Sequence, residues 1–361
     1  MFTTAQFRVF TTEPEERALA RPRHLLREGQ RTEAESSYRG VLAEYPGLKA
    51  AWAEYFQLLR AEGRFDDALA LAARASMQFG DDAFPFALRG AALIEMGRLP
   101  EALGNLEESA RRDPNFGMVW HEMGYAAYRL GQSAPALLAL DRAFALDPKS
   151  GTLHLRGKIL RTAGRYLAAE VAFSGAAEAA EFPEQRVEAE KQIAITRRYA
   201  GFSGRPADLP PHQRWFAETG AALLTSTGEG EATDLELLAA FGALAASQAW
   251  SFSVLVSLDD WDGWDRLAET LGIPRAGKLE PGFGMEPLVV MRCPTSDPGV
   301  WYAALRDLHA AGRGTTFALD QPDDLPGADV VGRLSSMPGS RVDAEFARTC
   351  VEHPESRWKK D

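Results

Sequence analysis

Asp259, Asp260, Asp262 and Asp265 crowd into the stretch LVSLDDWDGWD, directly after the apolar run FSVLVSL. In open α/β sheets, ligands bind outside the carboxyl ends of strands, so Asp259 and Asp260 are candidate ligands for a Mg²⁺ ion bridging a phosphate. Asp260, Asp262 and Gly263 also follow the start of a calcium-loop spacing, but the twelfth place holds Leu271 where a glutamate is needed. A plainer reading is that the aspartates form the acidic start of a helix over 262–271, favoured by capping bonds and the helix dipole. A second stretch, TSTGEGEATD, sets Gly228 and Gly230 between a strand and a helix. It lacks the lysine of a phosphate-cradling loop and the third glycine of a dinucleotide loop, and Glu229 and Glu231 would repel a phosphate. It reads as a turn. The six histidines are scattered, with neither a Ser-His-Asp arrangement nor H-E-x-x-H. Cys293 and Cys350 are too few and too far apart for a disulfide framework or a zinc site. No catalytic residue is identified, and no cofactor is expected beyond Mg²⁺ at Asp259 and Asp260.

The elements that would hold these residues alternate. Gly220–Ser226, Phe252–Leu258, Pro287–Arg292 and Thr315–Leu319 read as strands, and Val330–Leu334 as one more. Asp234–Trp250, Asp262–Leu271, Pro298–Ala311 and Asp343–Val351 read as helices, before the basic end RWKKD. Strands alternating with helices of this length predict an α/β domain with a mostly parallel sheet over 213–361. It follows the Pro- and Gly-rich stretch GFSGRPADLPPHQ, read as a linker at 201–212. Of the net charge of -11, residues 203–361 carry 14 Lys and Arg against 24 Asp and Glu, whereas residues 1–202 carry 26 against 27. An acidic domain repels phosphate backbones, so nucleic acid is not an expected partner. Basic proteins, or a cation, suit it better.

Before residue 201 a pattern recurs every 34 residues. Gly63, Gly97 and Gly131 align, as do Ala68, Ala102 and Ala136, and the aromatics Trp52, Phe86 and Trp120. The glycines suit tight turns that end a helix. Gly90 and Gly124, with the alanines, are small where paired helices must approach, and Pro114 and Pro148 break each second helix. Repeats fall at 15–48, 49–82, 83–116, 117–149 and 150–183, the last starting one residue early at Ser150. Pro22 should shorten or bend the first helix of the first repeat. Residues 1–14 form an N-terminal arm, and residues 184–200 a capping helix with Val187, Ile193 and Ile195 covering the end of the stack.

A 34-residue helix-turn-helix unit resembles the tetratricopeptide repeat family. The resemblance implies an α-solenoid over 15–200, followed by the smaller α/β domain. In that family the first helices line a concave groove that binds protein or peptide. The register places there Gln57 and Arg60; Ala87, Ala91 and Ile94; His121, Tyr125 and Tyr128; and His154, Lys158 and Arg161. Such a lining would suit a segment with apolar side chains and a carboxylate, steered by Arg60, Lys158 and Arg161. The family's carboxylate clamp is missing, since Ala53, Gln57, Ala87 and Ala91 stand where its Lys and Asn would. In the second domain, a strand, an acidic pair and a helix ending LAETLGIPRAG before PLVVMRC are faintly similar to the core of phosphoribosyltransferases, but WDGW replaces their 5-phosphate loop.

With 45% hydrophobic and 25% charged residues, the composition is ordinary for globular domains. The chain has no apolar run of membrane-spanning length, and its first residues lack a secretory pattern. A cytoplasmic adaptor that binds a protein or peptide is expected. The alternative is an enzyme whose second domain binds a phosphorylated or nucleotide ligand with Mg²⁺, its substrate recruited by the repeats.

Overall fold

The computed structural model describes residues 13–277, 286–311, 314–321, 327–335 and 339–355. They comprise eleven consecutive helices, then a mixture of strands and helices. Most of the expected N-terminal arm and the end RWKKD lie outside the described residues.

The helices pair as the register requires: α1 (Glu13–Arg27) with α2 (Arg31–Glu44), α3 (Lys49–Ala61) with α4 (Phe65–Phe79), and α5 (Ala83–Glu95) with α6 (Leu99–Arg112). Then come α7 (Gly117–Arg129) with α8 (Ser133–Leu146), α9 (Ser150–Thr162) with α10 (Tyr166–Glu178), and α11 (Pro183–Ala200). The first helices of the second to fifth pairs start at Lys49, Ala83, Gly117 and Ser150. Helix α1 runs through Pro22 without being cut short. Turn glycines Gly97 and Gly131 have φ of +73° and +75°, with nothing within 4 Å of a Cβ placed on either. Backbone conformation, not space, selects glycine there.

Space selects it elsewhere. A Cβ on Gly90 would stand 2.6 Å from Leu106, one on Gly124 2.7 Å from Leu140, and one on Gly157 2.8 Å from Phe173. Each large partner lies sixteen positions after its glycine. At the same two places of repeat two, the sizes are exchanged: Phe56 and Ala72, both fully buried. Aromatics at another fixed position seal the joints. Trp52 Nε1 donates to the Pro46 carbonyl at 2.8 Å and Trp120 Nε1 to that of Pro114 at 2.9 Å. Phe86 has no such donor, and the Arg112 guanidinium lies 4.4 Å from its ring centre instead.

By internal packing the chain divides into two compact units: residues up to Ile159 with Val171–Ala189, and Leu160–Glu170 with residues from Glu190 onward. In the second unit, Ile195 and Tyr199 of α11 pack with Leu209 and Ala217. Val187, expected to cover the end of the stack, is 64% exposed.

The sheet of the second unit has the order β1-β7-β6-β5-β3-β4, with every pairing parallel. Its strands are β1 (Ala222–Leu223), β3 (Val254–Ser257), β4 (Arg275–Ala276), β5 (Pro287–Met291), β6 (Thr315–Gln321) and β7 (Val330–Leu334). The expected strand Gly220–Ser226 splits at Leu224, and β2 (Thr225–Thr227) pairs antiparallel with β8 (Ser340–Val342). Helices α13 (Asp234–Ser247), α14 (Gly263–Leu271), α15 (Pro298–Ala311) and α16 (Ala344–Glu352) match expectation. Helix α12 (Pro211–Thr219), which overlaps the expected linker, does not. Strand interiors are continuously buried, as sheets covered on both faces require. Val254, Val256 and Val289 meet Ala304 and Leu308 of α15, while Leu255, Leu288 and Phe317 share a core with Phe241 and Trp264. The Phe241 and Phe317 rings stack at 4.4 Å.

Two glycine substitutions should separate space from propensity. Gly124→Ala should destabilise the protein by about 1–3 kcal/mol through its clash with Leu140. Gly104→Ala, in mid-helix α6 with nothing within 4 Å, should stabilise it by about 0.5–1 kcal/mol. Urea unfolding of the two variants checks both signs.

Candidate functional site

Gln57 and Arg60 lie one turn apart on α3, and therefore on one face. The Arg60 side chain is only 10% exposed. It forms an ion pair with Glu95 of α5, and its Nη1 lies 3.6 Å from Glu122 of α7. Burial favours the neutral form, but Glu122 and Glu95 more than offset it and hold the guanidinium above its ordinary pKa. Arg60 is thus not the free steering cation that the sequence suggests, because its charge is already matched inside the protein.

Ala87, Ala91 and Ile94 of α5 are fully buried and do not line an open surface. They belong to the apolar cores between helices, Ala91 with Phe56 and Leu59, and Ala87 and Ile94 with Leu106 and Val119. Helix α5 packs against both α3 and α7. Neither Glu95 nor Glu122 stood out in the sequence, since the register marks position along a helix and not how far an arginine extends.

Farther along, the His121 Nδ1 lies 3.1 Å from Thr152 Oγ1. Burial lowers the His121 pKa below 6.5; Lys149 and Arg60 add to this and Glu122 opposes it. Tyr125 and Tyr128 are half-buried, and the Arg129 guanidinium lies 5.8 Å from the Tyr125 ring centre. On α9, His154 meets the Phe173 ring edge to face at 5.4 Å, and Lys158 is half-buried. Arg161, which belongs to the second unit, donates to Gln192 Oε1 at 2.6 Å and lies over Tyr199. At the clamp positions Ala53 is buried, like Ala87 and Ala91. Among the described residues, Gln57 Nε2 is the one buried side-chain nitrogen or oxygen without a hydrogen-bond partner.

At the carboxyl edge of the sheet, the two metal candidates part company. Asp259 accepts from Trp264 Nε1 at 2.5 Å through one oxygen and from the Arg292 backbone N–H at 2.7 Å through the other. It ties the end of β3 to the end of β5. Asp260 is fully exposed, 3.9 Å from Arg275. Asp262 occupies the N-cap of α14 without a side-chain capping bond, so simple capping does not account for the run. Asp234 accepts from Arg292 and Arg333, each at 2.9 Å, and Arg333 also pairs with Asp320. Carboxylates and guanidiniums are matched around the ends of β5, β6 and β7. No group of three or more metal-ligating side chains comes together among the described residues. Gly230 accepts from the Ser340 N–H at 3.0 Å, so the glycine loop is fastened to β8 as a turn. Both cysteines are free; burial pushes the Cys350 thiol up to about 12.

The tetratricopeptide repeat family model matches residues 25–90. The chain carries tetratricopeptide repeats. It is also similar to a thermophilic tetratricopeptide-repeat protein of Thermus thermophilus, with 19% identity over 50% of this chain and 98% of that one, TM-score 0.44. PilW, a type IV pilus biogenesis factor, gives 16% identity over 54% and 89%, TM-score 0.45. PilF of Pseudomonas aeruginosa gives 17% over 52% and 88%, TM-score 0.41. Among the described residues, no helix is long and apolar enough to cross a membrane.

Two histidines are expected to make stability depend on pH. His212 Nδ1 accepts the Thr227 N–H at 3.3 Å and stands 2.9 Å from Thr227 Oγ1. Burial lowers its pKa below 6.5, as it does for His121, with Asp343 opposing. A histidine with a depressed folded-state pKa takes up protons more readily when unfolded. Its contribution is therefore complete above pH 6.5 and is lost as pH falls through the lower, folded value. The urea midpoint should drop below pH 6.5, and a His121→Gln, His212→Gln double variant should show a shallower drop.

Proposed function

We propose that this protein is an interaction scaffold whose first-helix face, from α3 to α9, captures a segment of another protein. The observation that carries this reading is the unbroken register from α3 to α7. It sets one helix of each pair side by side and presents Tyr125 and Tyr128 half-buried beside a floor that Arg60, Glu95 and Glu122 hold together. A prearranged surface of this kind loses little entropy on binding, and a few aromatic anchors supply most of the affinity. The tetratricopeptide match over residues 25–90 supports an interaction role in general. Within this reading, a carboxylate on the captured segment is assigned to His154 and Lys158 of α9. The free thiols of Cys293 and Cys350 suit a reducing, cytoplasmic setting.

Site-specific photocrosslinking in extract of the native cell tests the surface. A photoreactive phenylalanine at Tyr128 should trap a partner, and the same group at Met77, 81% exposed on α4, should not. Crosslinks from Met77 alone would overturn the assignment. Lys158→Glu should weaken capture by about tenfold if α9 takes a carboxylate; unchanged capture would remove that preference and leave the surface standing.

A further inference from the structure

We infer that the trough between α1 and α2 is a seat for an aromatic side chain, and that its occupant is the chain's own segment of residues 1–12, which lies outside the described residues. The trough is open and has a volume of about 820 Å³. Pro14 and Ala18 of α1 line one side, and Ser37, Gly40 and Val41 of α2, with Tyr45 at its end, the other.

The 34-residue register tells what chemistry the trough lacks. Ala18 stands one period before Trp52, Gly40 before Arg74 and Tyr45 before Phe79. In repeat two these three places are filled by one cluster. The Trp52 ring, 4% exposed, meets Phe79 edge to face at 5.9 Å, and the Arg74 guanidinium lies 5.6 Å from the Trp52 ring centre. Repeat one keeps the ring of Tyr45 but has an alanine for the indole and a glycine for the arginine. The space left open is therefore the place of an aromatic ring. Charge does not select another occupant, because Arg17 and Arg21 on the α1 wall are balanced by Glu33 and Glu44 on the α2 wall.

The twelve residues before Glu13 supply the missing chemistry. MFTTAQFRVFTT holds Phe2, Phe7 and Phe10 and a single charged side chain, Arg8. It runs into α1 at Glu13, beside the Pro14 end of the trough. Ala18 is about 7.5 Å along α1 from Glu13, and the three residues back to Phe10 span up to about 10 Å. Of the three phenylalanines, Phe10 closes the shortest loop, which costs the least entropy. Phe10 takes in repeat one the place that Trp52 takes in repeat two, and covering Tyr45 and Val41 removes their apolar surface from water.

The test is photocrosslinking in the full chain, with a photoreactive phenylalanine in place of Phe10. The crosslink should map by mass spectrometry to residues 37–45 of the same chain. Ala18→Trp, which puts a ring in the trough as repeat two does, should largely abolish it with helical circular dichroism unchanged. In the chain that keeps Phe10, the same substitution should speed tryptic cleavage after Arg8 about tenfold, since cleavage follows the undocked population. If Ala18→Trp disturbs the fold, Gly40→Arg, the residue found one period on, makes the same test; nothing lies within 4 Å of a Cβ at Gly40. A crosslink to another part of the chain, a crosslink to a second copy, or none at all overturns the seating of the segment. So does a crosslink whose yield survives substitution in a folded variant.

Discussion

Each of the later repeats depends on one close contact: a residue without a side chain on the first helix, facing a large apolar residue sixteen positions on in the second. Gly90 against Leu106, Gly124 against Leu140 and Gly157 against Phe173 leave no room for a methyl group. That approach fixes how the helices of a pair are set, and so which side chains share the face of the first helices. Repeat two meets the same demand with Phe56 and Ala72. The constraint is a summed volume at two positions, which explains why glycine is not invariant there.

Across the first helices runs Arg60. A guanidinium rooted on α3 pairs with Glu95 and lies 3.6 Å from Glu122, linking three successive first helices. The floor is therefore a buried polar junction.

Most of the repeat fold was legible in the sequence, because the residues that end helices there have a single physical reading. Glycines in the left-handed turn and prolines after Asp113 and Asp147 placed the starts of α5, α7 and α9 to the residue. The parallel sheet was legible from continuous apolar runs such as Val254–Ser257 and Pro287–Met291. Helix α12 was missed because Pro210 and Pro211 signal a loop and the first turn of a helix equally well. Strands β4 and β8 are too short for any pattern to mark. The α5 face was misread, since a buried alanine and an alanine lining a groove look alike in sequence. Likewise the acidic run at Asp259 offered metal ligands in one dimension; in three, both Asp259 oxygens bind the Trp264 indole and the Arg292 amide.

The account turns on Arg60 being held across a repeat. The direct measurement is a double-mutant cycle on unfolding free energy, with Arg60→Met, Glu122→Gln and the pair combined. Coupling of about 1–3 kcal/mol is predicted for groups that interact across the floor. Additivity within about 0.5 kcal/mol would contradict it.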